Sequence, residues 1–253
     1  TVSVPKPQIH YGSIMNPGNL GGHIQHRYDR ELDSLRNRVV SMGGLVERQA
    51  NDALTALRDQ NAELAEYVIR TDARVNAQEV SIDEDCTYVL ARRQPAAGDL
   101  RMVMAFIKTI TDIERIGDES EKIAHVTLHL NTTHYPNMGV LMQQIDNMGQ
   151  KVLQMLRDAL DSLVRMDVEA AVCTARNDEA VDALYVGLLK ELMEHMKSDP
   201  QDVEEYQSLI WVIRALERIG DHSKNICEYI IYFVRGKDVR HTTIDEIEEQ
   251  LGS

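Results

Sequence analysis

Glu114-Arg115-Ile116-Gly117-Asp118 returns without a mismatch as Glu217-Arg218-Ile219-Gly220-Asp221, 103 residues further on. The match continues with Ser120/Ser223 and Ile123/Ile226. Upstream of it, a shift of 106 pairs Met42 with Met148, Gly43 with Gly149, Asp52-Ala53-Leu54 with Asp158-Ala159-Leu160, Arg70 with Arg176, Asp72 with Asp178 and Val75 with Val181. The change of three is one short indel, in the connection that holds Pro95 in one copy and Pro200 in the other. Self-similarity along the whole chain means that it is two copies of one module.

Each copy reads as three long helices. Only Pro95, Pro136 and Pro200 fall beyond Pro17, and aromatics make up 5% of the 253 residues. So few breakers disfavour a sandwich or barrel of short strands. The pattern predicts helices over 25–57, 62–94 and 97–131, then over 140–164, 168–197 and 203–234. Asn61 and Asp167, each followed two residues later by Glu, read as N-caps with an acidic first turn. Long helices with short connections favour antiparallel neighbours. The expected fold is all-α, two tandem pseudo-symmetric three-helix bundles. The expected division is a leader or expression-derived segment over 1–22, repeats over 23–131 and 132–236, and a polar tail over 237–253. That tail holds a short helical stretch at 244–250, and Met15 is a candidate start. A spectrin-like bundle would share this outline, so fold does not name function.

With 41 acidic and 27 basic side chains the net charge is −14, which opposes wrapping of nucleic acid. Cys86, Cys173 and Cys227 are odd in number and far apart, so neither a disulfide framework nor a thiolate zinc site is indicated, and a reducing cytoplasm fits. No apolar run approaches the roughly 20 residues of a membrane helix. No charged n-region precedes an apolar h-region.

The acids lie where apolar residues are expected. With Glu114 at zero and 100° per residue, Leu100, Val103 and Ile107 share its stripe with Asp118, Glu121 and His125. On the last helix Glu217, Asp221, Lys224 and Glu228 continue a stripe begun by Val203, Tyr206, Ile210 and Ile213. Asp72, Asn76, Glu79 and Asp83 interrupt the second helix, and Asp178 and Asp182 the fifth. Carboxylates four residues apart repel by a few tenths of a kcal/mol, and burial adds desolvation unless they are paired, protonated or cation-bound. Two sets follow: Glu114 and Asp118 with Asp72, and Glu217 and Asp221 with Asp178 and Asp182. All-oxygen ligation suits Mg²⁺, Mn²⁺, Fe or Ca²⁺. The other reading pairs these acids with Arg115, Arg218, Arg70, Arg176 and Lys224 in structural salt bridges. Mid-helix Gly117 and Gly220 read as points of close helix approach, and His125 and His222 as ordinary half-exposed histidines.

There is no P-loop, dinucleotide turn or H-E-x-x-H motif. No Glu is followed three residues later by His, which removes the pairs that build di-iron sites in four-helix bundles. A metal-dependent carboxylate enzyme and a purely structural helical scaffold are the alternatives to a regulatory role.

Two helical copies each ending in the Glu-Arg-Ile-Gly-Asp block, with Ser41-Met42-Gly43-Gly44-Leu45-Val46-Glu47 on the first helix, resemble the PhoU family of bacterial phosphate-signalling regulators. The resemblance covers about residues 25–235. It implies paired three-helix bundles, each with a metal-binding Glu/Asp-x-x-x-Asp motif that holds iron or zinc in some members. Glu114/Asp118, Glu217/Asp221 and Asp178/Asp182 match that motif, whereas Asp72/Asn76 has an amide as its second member. On that basis tighter metal binding is expected in the second repeat. The implied role is non-catalytic: a homodimeric cytoplasmic adaptor at the inner membrane face. It relays the state of the phosphate ABC transporter to a sensor histidine kinase and keeps the phosphate-starvation genes off. Tyr229, Tyr232 and Phe233 are a candidate partner surface.

Overall fold

The computed structural model describes residues 17–130, 138–198 and 203–239, with the single positions 242 and 246. Among these there is no strand. The helices are α1 (Pro17–Asp59), α2 (Ala62–Arg93), α3 (Ala97–His129), α4 (Met138–Arg165), α5 (Val168–Arg176), α6 (Asp178–Ser198) and α7 (Val203–Arg235). α1, α2 and α3 pack on one another as the first bundle, and α4, α5/α6 and α7 as the second. Residues 1–16 of the expected leader, the Pro136 and Pro200 connections and most of the tail lie outside the described residues, and α1 starts eight residues earlier than the periodicity placed it, taking in the rest of that leader. Proline at that first position has no N–H to leave unsatisfied.

The turns between first and second helices are built alike in both repeats. Gln60 (φ 51°) and Met166 (φ 52°) take the left-handed conformation. The next residues close the preceding helix, Asn61 N–H on Ala56 O at 2.9 Å and Asp167 N–H on Ser162 O at 3.0 Å. Their side chains then cap the following helix, accepting from Leu64 N at 3.1 Å and Ala170 N at 3.0 Å.

The fifth helix is not continuous. It breaks at Asn177, whose N–H bonds Thr174 O at 3.0 Å while its own carbonyl accepts from Ala180 N at 3.1 Å. These three-residue spans tighten the chain for one turn. The equivalent residue of the first repeat, Thr71, is buried within unbroken α2 and donates its hydroxyl to Tyr67 O at 2.9 Å. The break makes Asp178 the first residue of α6, a position whose free N–H groups favour an anion.

Among the described residues, two seams join the bundles. α1 meets α4, where a Cβ on Gly43 would lie 2.7 Å from Leu160 Cδ2 and one on Gly149 2.6 Å from Leu54 Cδ1. The absent side chains are what let these helices touch, and the two contacts are the same contact made twice. α3 crosses α7 antiparallel. Asp112, buried, accepts from His222 Nδ1 at 2.6 Å and Asn225 Nδ2 at 3.0 Å. Lys108 Nζ stands over the rings of Tyr229 and Tyr232, 5.5 and 5.3 Å from their centroids. These tyrosines therefore serve the joint between the repeats.

Candidate carboxylate centres

Gly117 and Gly220 set the distance between the helices that carry the acids. A Cβ on Gly117 would sit 3.1 Å from Asp72 Oδ1 and 3.3 Å from Val75; one on Gly220 would sit 3.3 Å from Val181 and 3.8 Å from Asp178 Oδ1. Each glycine lets the neighbouring helix of its own bundle lean in, and brings its aspartate to the face bearing Glu114/Asp118 or Glu217/Asp221. Asp72 and Asp178 are buried, whereas Glu114, Asp118 and Glu217 are half-buried and Asp182 and Asp221 reach solvent. Glu114, Asp118, Glu217 and Asp221 thus border the core and do not enter it.

The first centre gathers Asp72, Asn76, Glu79, Glu114, Asp118 and Glu121. Burial lifts Glu114 above the ordinary carboxylate range; Asp118 adds to this, and Arg115 offsets it only in part. Burial and then Asp72 lift Glu121. Two neutral amides hold Asp72. Asn76 Nδ2 donates to its Oδ2 at 2.9 Å and the buried Gln49 Nε2 to its Oδ1 at 3.3 Å. Asn76 is thereby explained: an aspartate there could not donate. Arg115 lies 3.2 Å from Asp118 and 3.5 Å from Glu114.

The second centre holds Asp178, Asp182, Glu217 and Asp221, with Lys224 Nζ 2.7 Å from Asp178 Oδ2. Burial raises Glu217, and Asp221, Asp182 and Asp178 raise it further. Asp221 is raised by desolvation and then by Asp178 and Asp182, and Asp182 by desolvation and then by Asp178. Lys224, although burial works against its charge, is held above the usual lysine range by Asp178, Glu228 and Asp221. Glu121 occupies in the first centre the place of Lys224 in the second. That exchange makes the first centre the more acidic one and runs against the ranking drawn from Asn76.

Some of the salt bridges read from the sequence form and others do not. Arg115 and Lys224 answer the acids as expected. Arg218 instead lies 3.1 Å from buried Glu119, and Arg70 pairs with Glu66. His125 lies 3.6 Å from Glu121, and His222 turns to Asp112. Gln49, Asp112 and Glu119 escaped the sequence reading because their counterparts, Met155, Ala215 and His222, are of different character. Repetition is silent there, and these residues lie off the stripes that helical spacing singled out.

Whether a cation fits can be judged from the donors. They are all oxygens, and Asp178 Oδ1, Asn76 Oδ1 and Gln49 Oε1 are buried without a hydrogen-bond partner, the atoms an oxygen-seeking cation would use. Among the described residues, however, no three His, Cys, Asp or Glu side chains converge tightly enough to hold an ion. The donor chemistry fits a hard cation. The side chains as they stand form open acidic clusters, partly answered by Arg115 and Lys224.

The PhoU domain family matches residues 39–127 and again 145–230, one match per bundle. The phosphate-specific transport system accessory protein PhoU of Serratia marcescens is 45% identical over 234 residues, covering 92% of this chain and 95% of that protein. Its namesake in Escherichia coli (strain K12) is 42% identical over 238 residues, covering 94% and 97%. The crystal structure of PhoU from Pseudomonas aeruginosa superposes with a TM-score of 0.79 at 42% identity, covering 83% of this chain and all of that one. The phosphate transport system regulatory protein PhoU from Streptococcus pneumoniae gives 0.77 at 32% identity, covering 84% and 99%. With both of its bundles matched and its relatives aligned nearly end to end, the chain belongs to the PhoU family.

Proposed function

We propose that this protein is a negative regulator of the bacterial phosphate-starvation response. It acts as an adaptor that couples the state of a phosphate ABC transporter to a sensor histidine kinase and modulates phosphate uptake. The observation that carries this reading is the match of both repeats to PhoU, together with relatives named as phosphate-specific transport system accessory proteins along more than nine-tenths of the chain. No helix among the described residues is long and apolar enough to cross a membrane. The proposal therefore has a cytoplasmic homodimer reach the inner membrane face through its partners. A surface of net charge −14 gains nothing from anionic lipid directly.

The carboxylate centres belong to the same proposal. Iron, zinc, manganese or magnesium would be held by Glu114, Asp118 and Asp72 with Asn76 in one repeat, and by Glu217, Asp221, Asp178 and Asp182 in the other. The ion would answer the burial, and then the repulsion between neighbouring carboxylates, that raise Glu114, Asp182, Glu217 and Asp221. Its role is structural, or it bridges to a partner or membrane.

Deletion of the gene with a phosphate-responsive reporter tests the regulatory reading. Derepression in phosphate-rich medium supports it, and a reporter that stays repressed overturns it. Metal content of the parent and of Glu217→Gln/Asp221→Asn, purified without chelator, tests the second part; equal metal content in both refutes that site.

A further inference from the structure

Between the second half of α3 and the first half of α7 lies a cavity of about 490 Å³ that shares no lining residue with either carboxylate centre but borders both, His125 lying 3.6 Å from Glu121 and Arg214 acting on Glu217. Its walls include Lys122, His125, Val126, Trp211, Arg214 and Arg218. The size falls in the range of small-molecule sites. Three cationic side chains against the single acid Glu119 leave it positive on a protein whose net charge is −14.

The internal repeat shows why the cavity exists. Shifting residues by 103, up from α3 and down from α7, turns the Lys108–Tyr229 contact into Trp211–Val126, and turns Asp112–Asn225 into Ala215–Lys122. At one end of the seam Tyr229 and Tyr232 fill the space under Lys108, and Asp112 ties down His222 and Asn225. At the other end Val126 and Ala215 are smaller, and an exposed tryptophan stands where Lys108 was. The same joint is closed at one end and open at the other.

The open end is also ordered. Glu119, 2% exposed, has its Oε1 2.9 Å from Lys122 Nζ and 3.1 Å from Arg218 Nε. One buried carboxylate thereby fixes two cations from two helices at the cavity. An ammonium and a guanidinium each keep further N–H donors after that bond. Arg214 lies 6.0 Å from the centroid of the Trp211 ring, which is 55% exposed. A flat ring system beside clustered cations matches a ligand with a planar base and a phosphate chain. Inorganic phosphate alone would leave the apolar wall of Val126, Ala215 and Trp211 uncovered.

We propose that this cavity binds a nucleotide, with its base on Trp211 and its phosphates on Lys122, Arg214 and Arg218. The proposal rests neither on the adaptor reading nor on metal at the carboxylate centres. Trp211 is the single tryptophan of the chain, so fluorescence excited selectively at tryptophan reports on the cavity. The full chain is titrated with ADP, adenosine and orthophosphate in separate arms and followed by fluorescence and calorimetry. Chelator is present, so that no metal bridges nucleotide to the acids. Saturable ADP binding is expected, weakened roughly tenfold in Lys122→Ala and in Arg214→Ala, the ratio set by loss of one charge-assisted hydrogen bond. Adenosine and orthophosphate are each expected to bind at least about tenfold more weakly than ADP on the same grounds. Both lysine and arginine side chains are exposed, so the variants keep the fold, which thermal melts verify. The proposal is overturned by the absence of saturable signal and heat, by binding that neither substitution weakens, or by orthophosphate binding as tightly as ADP.

Discussion

Replacing Asp112 with alanine removes one polar tie between the repeats and leaves the helices in register, since Ala215 occupies the equivalent position of α7. The Asp112 carboxylate is 9% exposed and accepts two hydrogen bonds from α7, at 2.6 Å from His222 and 3.0 Å from Asn225. Bonds to a charged acceptor contribute about 1.5–3 kcal/mol each. Because His222 and Asn225 are only half-buried, their freed donors recover part of this from water, so the lower figure applies. Alanine returns about 0.7 kcal/mol in helix propensity. The expected net loss is about 2 kcal/mol, or a Tm lower by about 4–8 °C for a chain of this size. Urea unfolding followed by circular dichroism measures the loss. A double-mutant cycle with Asn225→Ala isolates the bond, for which a coupling of about 1 kcal/mol is expected. A change below about 0.5 kcal/mol with no coupling would show that the Asp112 bonds add nothing to the seam, and the reasoning would fail.

The raised carboxyls of the second centre predict that Glu217→Gln/Asp221→Asn stabilises the chelated protein at neutral pH. A carboxyl whose folded pKa lies above its unfolded one favours the folded state at low pH and opposes it once pH passes the folded value. The gain over the parent should therefore be largest at neutral pH and fade as pH falls through the carboxylate range; thermal melts across that range that show destabilisation at neutral pH would refute the argument from burial and repulsion. Gly149→Val drives a branched side chain into Leu54, itself 2% exposed, and should cost about 3 kcal/mol. In a Leu54→Ala background the same substitution should cost clearly less, and additive denaturation energies would contradict the contact. Burial raises the thiol of Cys86 to about 12 and that of Cys227 higher still, while Cys173 is exposed. A thiol reagent at neutral pH should consume one equivalent from native protein and three after denaturation.

The architecture was legible because duplication writes every helix twice. Asn61 and Asp167 announced the helix starts, and both caps form. The helix ends before them were harder to read, because Gln60 and Met166 hold the left-handed position where glycine would have signalled it. The break at Asn177 was hidden for a different reason: hydrophobic spacing is unchanged across a single tightened turn. For the acids, spacing identified which side chains share a face and left open what answers them. Lys224 reaching Asp178 matched a pairing read from the sequence, while Arg218 turning to Glu119 did not. The difference is one of position around the helix. Lys224 lies on the acid stripe of α7, and Arg218, next to Glu217, points across the seam to α3.

The paired contacts Gly43–Leu160 and Gly149–Leu54 have the form of an isologous interface, in which residue i of one half meets residue j of the other and j meets i. A single bundle carrying both residues could make the whole contact with a second copy of itself. Joining two such bundles in one chain preserves the geometry and removes the requirement that both sides be identical. One copy can then keep Asp112 while the other carries Ala215, and one can carry Lys224 while the other carries Glu121. Asymmetry of this kind is unavailable to a symmetric dimer of identical chains, and it gives the two ends of one joint separate chemistry.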